Sequence, residues 1–477
     1  METLPIKTIL IGINYPDQDL FNRVAKDRIE EMILLFATNN MRVFLLQNNI
    51  VKIKSLINIC NYQEVENGEF DLIIFDICPF QLINDNYNAK NLLLHKVASS
   101  EINLIRHLAK KNSEVLLISN PNQYTFVLEK FRNDNINTTQ EERTKFAIEA
   151  YRYSSEYDAS VYNILRDNGE TEILNINLSR ARKLRYGENP HQKAWYFGEL
   201  DNTLQQLHGA ELSYNILQDI DAGINLATEF EEPAFVIVKH TNPCGVAVRN
   251  QAVEAYKAAL SNDPVSAYWS IIVTNTEVNL ETANLINDLY FAGIVAPDYT
   301  EAALLVLAKD KRLVLRQKQK QINYQQIKTL LNGYVVQESD SINETEKDFK
   351  VVTKLQPSTE ELEDMAFAIK VAKHSKSNAV VLVKNQQVLA ISTGQTSNVD
   401  ALKQAISKAD CFGIDLTGAC MGADCFFPFA DAIEIASHAG IKTIAHTGGS
   451  EWDQIAIDLC NRAEIKMAFT GIRHLKH

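Results

Sequence analysis

Lys239 and His240 stand side by side directly after the apolar run 235–238, which predicts a strand. The Asn242-Pro243 pair that follows predicts a turn, because Pro fixes its own φ and keeps its predecessor out of the helical region. A cation beside the one side chain that titrates near neutral pH suits proton transfer with stabilisation of a developing negative charge. The alternative is a surface lysine next to a structural histidine, and the pair alone does not decide between them.

Other segments carry side chains suited to a flat, phosphorylated ligand. An arginine can clamp a phosphate, a tyrosine can stack or hydrogen-bond, and an asparagine can read an amide. The loop 446–450 follows a predicted strand, so its N–H groups are predicted to line an anion site. Each segment also has a plain structural alternative, such as a linker, a helix cap, core packing or a solvated terminus. The segments are 184–192, 375–378, 423–431, 446–450 and 471–477.

Composition limits the classes of function. At 477 residues, with 46% hydrophobic and 22% charged residues, the chain is long enough for two or three domains with sizeable cores. The net charge of −13 and the pI near 5.4 argue against a nucleic-acid or anionic-membrane binder, because both need a basic face. Neither a signal peptide nor an apolar run of membrane-spanning length is evident, so a cytoplasmic protein without membrane partners is expected.

The cysteines favour the same compartment and argue against a metal site. The seven of them include no Cys-x-x-Cys pair, which is typical of reduced thiols in a cytosolic protein. His240 and Cys244 have the order of zinc-deaminase ligands, but the second cysteine and the His-x-Glu are missing, so no zinc is expected. Neither a Walker loop nor a Gly-x-Gly-x-x-Gly segment occurs, which removes the standard nucleotide cradles.

Strand and helix patterns alternate through residues 1–165, as in an α/β protein. Apolar runs at 7–11, 41–46, 71–77 and 114–119 alternate with helical stretches at 19–37, 91–111 and 123–133. This order predicts a parallel sheet covered by helices. Thr139 and Glu142 have capping-box spacing and predict a helix that runs to about Leu165. The polar segment 167–170 predicts a domain boundary.

Beyond this boundary the alternation continues in two blocks of similar order and size. Strands are predicted at 234–238, 270–274 and 293–296 in the first block and at 379–383, 388–393 and 442–445 in the second. Helices are predicted from Ser358, Asn398 and Phe429. The polar connector 316–326 and the loop 338–347 separate the blocks. This pattern permits a duplicated α/β unit without requiring one.

Taken in order, seven motifs resemble those of one family. They are Arg185-Tyr186-Gly187-Glu188-Asn189-Pro190-His191-Gln192, Lys239-His240-Thr241-Asn242-Pro243-Cys244-Gly245, Asp263-Pro264-Val265-Ser266-Ala267, Ser377-Asn378, Phe426-Phe427-Pro428-Phe429, Gly448-Gly449-Ser450 and Arg473-His474. The chain resembles the bifunctional purine-biosynthesis proteins that combine AICAR formyltransferase with IMP cyclohydrolase. The resemblance is strong from Arg185 to His477 and weaker through residues 1–165.

The resemblance implies a fold and a set of roles. Residues 1–165 would form a methylglyoxal-synthase-like domain, and 166–355 and 356–477 would form tandem cytidine-deaminase-like α/β domains without zinc. A homodimer would have its transferase sites at the interface, with AICAR and 10-formyltetrahydrofolate as substrates. The implied roles are proton acceptor for His240, charge stabiliser for Lys239, ribonucleotide contacts for Arg185, Tyr186, Asn378, Phe426 and Arg473, and folate contacts for Asp431 and Ser450.

Several positions in the transferase half depart from the family pattern. Tyr268-Trp269-Ser270 follows Ala267 where the family has Phe-Gly-Gly, and a glycine there would let the backbone approach a ligand. Ala292 replaces an acid, Asn398 replaces an Arg near the phosphate, and Ala430 replaces an Arg beside Asp431. The catalytic pair is therefore retained, while part of the ligand shell has changed.

The N-terminal domain departs further. The family's phosphate loop Asp-Ile-Gly-Gly aligns with residues 98–101, which places Glu101 where glycine amides should meet the phosphate, and Cys78 replaces the family's Tyr. Of the cyclohydrolase's polar residues, only Lys110 remains. These departures predict a degenerate cyclohydrolase domain whose ring closure to IMP is very slow or absent. In the alternative, other residues such as Asp76 or His95 have rebuilt the site.

Two further functions stay open from the sequence. A non-catalytic paralogue that binds a nucleotide would explain the changes at Trp269, Ala292 and Asn398. A formyltransferase with a different amino-heterocycle acceptor would explain the same changes, because the nucleotide contacts changed most. Turnover of AICAR separates the leading function from both.

Overall fold

The structure is a computed structural model that describes residues 3–38, 42–47, 58–59, 61–86, 90–133, 137–166, 174, 176, 178, 181–318, 325–426 and 430–477. It divides into two compact units, Met1–Arg180 and Ala181–His477. The predicted boundary segment 167–170 and the Phe427-Pro428-Phe429 part of the aromatic motif lie outside the described residues.

The first unit is a parallel sheet with helices packed on it. Its strands are β1 (Thr3–Pro5), β2 (Thr8–Asn14), β3 (Arg42–Gln47), β4 (Asn58–Ile59), β5 (Leu72–Ile77), β6 (Leu116–Ile118) and β7 (Asn137–Thr139). Its helices are α1 (Gln18–Val24), α2 (Lys26–Thr38), α3 (Tyr62–Asn67), α4 (Phe80–Asn86), α5 (Lys90–Leu94), α6 (Ser99–Ala109), α7 (Tyr124–Arg132) and α8 (Gln140–Leu165), with a 3₁₀ turn at Pro121–Gln123.

The sheet order is β4-β3-β2-β5-β6, with every pairing parallel, which confirms the predicted parallel sheet. The strand β5 is buried on both faces because helices cover the sheet, which is why its sequence is a nearly continuous apolar run. The capping box of Thr139 and Glu142 opens α8 as predicted. Two predicted helices are each divided, at Ala25 and at residues 95–98.

The second unit is built mainly on mixed sheets, which contain both parallel and antiparallel strand pairs. Its strands are β8 (Ala181–Lys183), β9 (Trp195–Phe197), β10 (Leu204–His208), β11 (Ala234–Lys239), β12 (Asn242–Val248), β13 (Ile271–Thr274), β14 (Gly293–Ala296), β15 (Leu313–Gln317), β16 (Gln325–Leu330), β17 (Gly333–Glu338), β18 (Lys350–Val351), β19 (Val380–Val383), β20 (Val388–Ser392), β21 (Cys420–Ala423), β22 (Thr443–His446) and β23 (Lys466–Phe469).

The helices of the second unit alternate with these strands. They are α9 (Leu200–Thr203), α10 (Tyr214–Ala227), α11 (Ala252–Ser261), α12 (Leu280–Asn287), α13 (Glu301–Leu307), α14 (Thr359–Lys373), α15 (Asn398–Cys411), α16 (Ala430–His438) and α17 (Asp453–Arg462), with a 3₁₀ turn at Glu346–Asp348. Within the described residues, no helix is long and apolar enough to cross a membrane.

Two six-stranded sheets dominate this unit, and they have the same topology. The first has the order β10-β15-β14-β13-β11-β12 and the second β18-β23-β22-β21-β19-β20. In each, three neighbouring strands are parallel and the others antiparallel, at matching places. Apolar residues of α10, α14 and both sheets form one shared core. The structure therefore contains the duplicated α/β unit that the sequence only permitted.

Several strands of this unit are absent from the sequence prediction, among them β12 and the hairpin of β16 and β17. The segment 316–326 was interpreted as a polar connector, but its last residues open the two-stranded hairpin of β16 and β17. The prediction failed because this hairpin has no core-facing side: its strands are exposed along nearly their whole length. Without a buried face, neither strand shows the alternation of polar and apolar residues by which a half-buried strand is recognised.

Candidate active site

The Lys239-His240 pair lies at the hairpin that joins β11 to β12. β11 ends at Lys239, and His240 and Thr241 form the turn with φ of 55° and 64°. The predicted Asn242-Pro243 turn is wrong, because those residues begin β12 instead. A two-residue hairpin turn of this type needs positive φ at both central residues, which Pro cannot adopt, so the turn lies two residues earlier.

A carboxylate that the sequence analysis missed holds this turn. Asp219 on α10 accepts a hydrogen bond from the backbone N–H of Thr241 at 2.6 Å, and the backbone N–H of His240 also acts on its carboxylate. Burial raises the pKa of Asp219, although these hydrogen bonds and the nearby His240 and Lys239 act to lower it. The Asn242 side chain donates to the His240 carbonyl at 3.0 Å. The turn is fixed from two sides, while the His240 ring stays exposed.

Lys239 is held by the chain segment that precedes β13. Its Nζ donates to the carbonyl of Tyr268 at 2.7 Å. The next residue, Trp269, donates its N–H to the Tyr290 carbonyl at 2.7 Å and stacks on the Tyr290 ring, with the centroids 5.2 Å apart. Tyr268 stacks on the same ring. The position of the Lys239 ammonium is therefore set by the Tyr268-Trp269 segment, which is held by stacking on Tyr290.

Trp269 has φ of 59°, a value that suits glycine, and its side chain is 51% exposed. The backbone conformation is therefore a second reason for the glycine that the family has at this position. We expect Trp269→Ala to be less stable than Trp269→Gly by about 1 kcal/mol, because Ala keeps the left-handed backbone penalty and both variants lose the stacking. Thermal unfolding should place the Ala midpoint about 1–2 °C lower, because the unit is large.

The matched control is Trp195 in β9, which is also about half exposed but lies in a strand. There the order should reverse, with Trp195→Gly less stable than Trp195→Ala, because glycine weakens a strand. Equal midpoints for the two Trp269 variants would contradict the strained-backbone account.

The predicted residues of the second block gather at one edge of the second sheet. The parallel strands β21, β22 and β23 end at this edge, and β19, which is antiparallel to β21, begins there. Because ligands of α/β sheets bind beyond the carboxyl ends of such strands, this edge is the place to expect a ligand. The residues that follow or precede these strand ends are Asn378, Phe426, Asp431, Ser450 and Arg473.

Hydrogen bonds link three segments of this edge. Cys425 donates its thiol to Asn378 Oδ1 at 3.4 Å, and Asn398 Nδ2 donates to the Phe426 carbonyl at 2.9 Å. Burial raises the pKa of the Cys425 thiol, and the nearby Arg473 guanidinium acts in the opposite direction. Asn398, expected only as a lost cation, is instead a buried connection between α15 and the Phe426 segment. The side chains of Phe426 and Arg473 remain exposed.

The C-terminal segment is pinned beside this edge by His474. The backbone N–H of His474 donates to the Asp424 carbonyl at 3.0 Å, and its two ring nitrogens face Asp340 at 2.6 Å and Glu344 at 2.7 Å. Burial acts to lower the pKa of His474, but the hydrogen bonds to Glu344 and Asp340 outweigh it and raise the pKa. The adjacent Arg473 is therefore presented at the edge by a fixed backbone.

The edges of the two sheets meet at Asn242. The backbone N–H of Lys376 donates to Asn242 Oδ1 at 3.2 Å, and Lys376 lies two residues before Asn378. Ser377 and Lys476 exchange two hydrogen bonds, each 2.9 Å long. The structure therefore brings the His240 turn, the Asn378 segment and the C-terminal segment into one continuous region.

Arg185 and Tyr186 lie in a loop next to the first sheet. The Arg185 guanidinium lies 5.6 Å from the centre of the Tyr186 ring, and the Arg185 N–H donates to the Leu212 carbonyl just before α10. Arg185 also lines a cavity of about 330 Å³ with His208, Gly209, Glu211, Asp310 and Lys311. β10 ends and β15 begins at this cavity, which places it at the sheet edge where β11 ends at Lys239.

Both glycine N–H groups of the loop 446–450 are bonded within the chain. The Gly448 N–H donates to His446 Nδ1 at 3.0 Å, and the Gly449 N–H donates to Asp453 Oδ2 at 2.7 Å. Burial lowers the pKa of His446 to about 4, so this ring is a neutral acceptor. For these two amides the chain supplies its own acceptors, and the anion site of this loop stays a prediction. Ser450 Oγ accepts from the Trp452 N–H at 3.2 Å.

In the first unit, the phosphate-loop position is the first turn of α6. Glu101 is buried there and accepts a hydrogen bond from the Tyr62 hydroxyl, while the Ala98 N–H donates to the Tyr157 hydroxyl at 2.9 Å. Lys110 is exposed at the C-cap of the same helix, about 14 Å from Glu101 along the helix axis. The position expected to bind a phosphate is therefore occupied by the chain's own carboxylate.

Comparisons with known proteins agree with the motif pattern. The family described as AICARFT/IMPCHase bienzyme matches residues 108–408. A bifunctional purine biosynthesis protein PurH of Bacteroides thetaiotaomicron is 42% identical over 88% of this chain and 83% of that protein. The protein of the same name from Acetivibrio thermocellus is 37% identical over 87% of this chain and 83% of that protein. The one from Caldicellulosiruptor saccharolyticus is 34% identical over 98% of this chain and 91% of that protein. The resemblance is confirmed, and the chain belongs to the AICARFT/IMPCHase bienzyme family.

Proposed function

We propose that the protein transfers the formyl group of 10-formyltetrahydrofolate to the ring amine of AICAR, a late step of purine biosynthesis. The observation that carries this proposal is the Lys239-His240 hairpin. Its backbone is held by Asp219, its lysine by the Tyr268 carbonyl, and its far end contacts the Asn378 segment through Asn242. A base and a cation are thus fixed at the junction of the two sheet edges.

The reaction needs both groups. The ring amine is a poor nucleophile because the neighbouring carboxamide withdraws its electrons, so it needs a positioned base as it attacks the formyl carbon. His240 accepts the amine proton while the new C–N bond forms. The formyl oxygen gains negative charge, which the Lys239 ammonium stabilises. The bond to the folate nitrogen then breaks, and that nitrogen takes a proton as tetrahydrofolate leaves.

The remaining residues divide between the two substrates. Arg185, Tyr186, Asn378, Phe426 and Arg473 are proposed to hold the ribonucleotide, and Asp431 and Ser450 the folate. Two arginines and an asparagine suit a phosphorylated sugar and a carboxamide, and an exposed Phe426 suits a flat ring. The cavity beside Arg185 has the volume of a small-molecule site.

The relatives support this function over the alternatives. Each of the three is named as a bifunctional purine biosynthesis protein, and each covers most of this chain. Their names therefore favour a transferase over a non-catalytic nucleotide-binding paralogue.

A direct assay tests the proposal. Purified protein given AICAR and 10-formyltetrahydrofolate should release tetrahydrofolate at a rate proportional to enzyme concentration. Absence of turnover with AICAR binding intact in calorimetry would contradict it. A parallel screen of other amino-heterocycles with the same donor decides whether AICAR is the acceptor.

We further propose the architecture and location that the resemblance implies. Residues 1–165 would be methylglyoxal-synthase-like, and the two repeats, divided near residue 355, cytidine-deaminase-like without zinc. The repeated sheet order supports a tandem pair, and β18 joins the second sheet slightly before that division. A cytoplasmic location is consistent with the six described cysteines, all of which are free thiols.

We propose that the protein is a homodimer with its transferase sites at the interface. The hairpin of β16 and β17 supports this, because it exposes a series of apolar side chains: Ile327, Leu330, Leu331, Tyr334 and Val335. Leu331 at its tip is 99% exposed. An exposed apolar hairpin of this kind suits burial against a second copy of the chain.

Charged residues on the hairpin should therefore dissociate the dimer. Light scattering at micromolar concentration should find a dimer for the wild type and a monomer for a Tyr334→Asp, Val335→Asp double variant, because each buried carboxylate would lack a partner. Leu305→Asp, at an 80% exposed position on α13, is the control and should remain dimeric. A monomeric wild type, or a dimeric hairpin variant, would refute the proposed interface.

A further inference from the structure

The duplication places a second hairpin at the position equivalent to the His240 turn. β19 ends at Val383, Lys384 follows, and Asn385 and Gln386 form the turn with φ of 53° and 51°. Lys384 Nζ donates to the Thr417 carbonyl at 2.7 Å, just as Lys239 Nζ donates to the Tyr268 carbonyl. Thr417 precedes β21 as Tyr268 precedes β13. The two hairpins are therefore structural counterparts.

Each hairpin is held by an aspartate at the same helical position. Asp219 is the sixth residue of α10 and Asp364 the sixth residue of α14, and both helices begin after a serine cap. Asp364 accepts from the Asn385 N–H at 2.8 Å and from the Gln386 N–H at 2.6 Å. In its own turn Asp219 accepts from the Thr241 N–H at 2.6 Å, and the His240 N–H also acts on its carboxylate. The clamp is thus part of the duplicated fold.

The surroundings of the two turns differ in the groups that do chemistry. Arg249, which follows β12 in the first repeat, lies across the turn of the second repeat, with hydrogen bonds of 2.7 Å to the Asn385 carbonyl and to Gln387 Oε1. In the turn of the first repeat, the residue that corresponds to Asn385 is His240, whose ring is exposed. The first turn also contains Thr241, and a β-branched residue at positive φ is strained. The first turn therefore depends more on its clamp than the second.

We propose that Asp219 is a positioning residue for the formyl transfer: its carboxylate holds the backbone of the His240 turn so that the imidazole meets the substrate amine. Asp219 acts through this backbone and does not touch the substrate. The inference rests on the proposed role of His240. It adds a residue that none of the seven motifs contains.

The duplicated aspartate provides a matched control. Asp219→Ala should lower kcat for formyl transfer by at least tenfold while changing KM for AICAR by less than threefold, because the base is misplaced and the substrate contacts remain. Asp219→Asn keeps one acceptor oxygen and should fall between Ala and wild type. Asp364→Ala removes the same kind of clamp from a turn without a base, so its kcat should stay within twofold of wild type. Its unfolding midpoint should fall by about as much as that of Asp219→Ala.

Hydrogen exchange of the backbone amides separates this inference from the proposed function. Asp219→Ala should deprotect the amides of His240 and Thr241 and spare those of Asn385 and Gln386, and Asp364→Ala should do the reverse. Lost protection with unchanged kcat would overturn the positioning role, as would equal loss of kcat in both Ala variants. If the wild type itself lacks turnover, the proposed function fails. Hydrogen exchange still tests the clamp in that case, and unchanged protection of the His240 amide in Asp219→Ala would overturn it.

Discussion

Replacing His240 by alanine is expected to lower kcat for formyl transfer by about 10²-fold or more, the usual loss when a general base is removed. His240 is the exposed residue of a turn whose backbone is held by Asp219, and the Lys239 ammonium lies next to it in the chain. Because the amine of AICAR is deactivated, attack without a base is slow. Steady-state release of tetrahydrofolate at saturating substrates measures the effect.

The control is His107→Ala, an exposed histidine in the last turn of α6 in the other unit. It should keep full kcat, and both variants should retain the wild-type unfolding midpoint because neither side chain is buried. Lys239→Met should also lower kcat, since it removes the cation near the formyl oxygen. A His240→Ala enzyme with more than a tenth of the wild-type kcat would contradict the assignment of the base.

Ring closure of formylated AICAR to IMP is expected to proceed at close to its spontaneous rate with this protein. Closure needs an anion site for the phosphate, and backbone N–H groups at a helix start are the usual means of providing one. At the start of α6 the buried Glu101 carboxylate occupies that place, and the Ala98 N–H already donates to Tyr157. A second anion there would be repelled.

Of the two groups considered for a rebuilt site, Asp76 is committed to other contacts and His95 is exposed. Asp76 is fully buried and accepts from the Tyr15 hydroxyl, from the Arg28 guanidinium and from the Tyr124 hydroxyl at 2.6–2.9 Å. Burial raises the pKa of Cys78 to about 12, so it stays a neutral thiol that points at the Pro79 carbonyl. The network around Asp76 therefore closes the carboxyl edge of the parallel sheet.

The increase in IMP absorbance after addition of formylated AICAR decides this question. The wild type and Lys110→Ala should give the same slow trace, close to buffer alone. A full-length relative with the intact Asp-Ile-Gly-Gly loop serves as the positive control. Closure well above the spontaneous rate that is lost in Lys110→Ala would contradict the prediction and restore a working cyclohydrolase site.

Much of the fold follows from patterns that a single sequence contains. The strand β14 was predicted with its observed bounds, and the capping box at Thr139 opens α8 as expected, because buried strands and helix starts have local signals. The sequence was compatible with a duplication but did not require one, because the two repeats share their strand order and not an evident sequence repeat. The hairpin of β16 and β17 was missed because its strands have no buried face.

The candidate site follows from sequence only where side chains themselves do chemistry. Lys239, His240 and Arg473 are residue types whose roles motifs reveal. Asp219 was invisible because its function is to accept backbone N–H groups of residues more than twenty positions away in the chain. The acceptor of the Gly449 N–H in the loop 446–450 was not predicted for a related reason: it is Asp453, the first residue of α17.

The most direct test of the central claim is a crystal structure of the protein with AICAR bound. We predict the nucleotide in the region bounded by the His240 turn, Asn378 and Arg473, within one subunit or across the dimer. Its ring amine should lie within about 3 Å of the His240 imidazole. A nucleotide bound elsewhere, or bound in this region with its amine turned away from His240, would contradict the account.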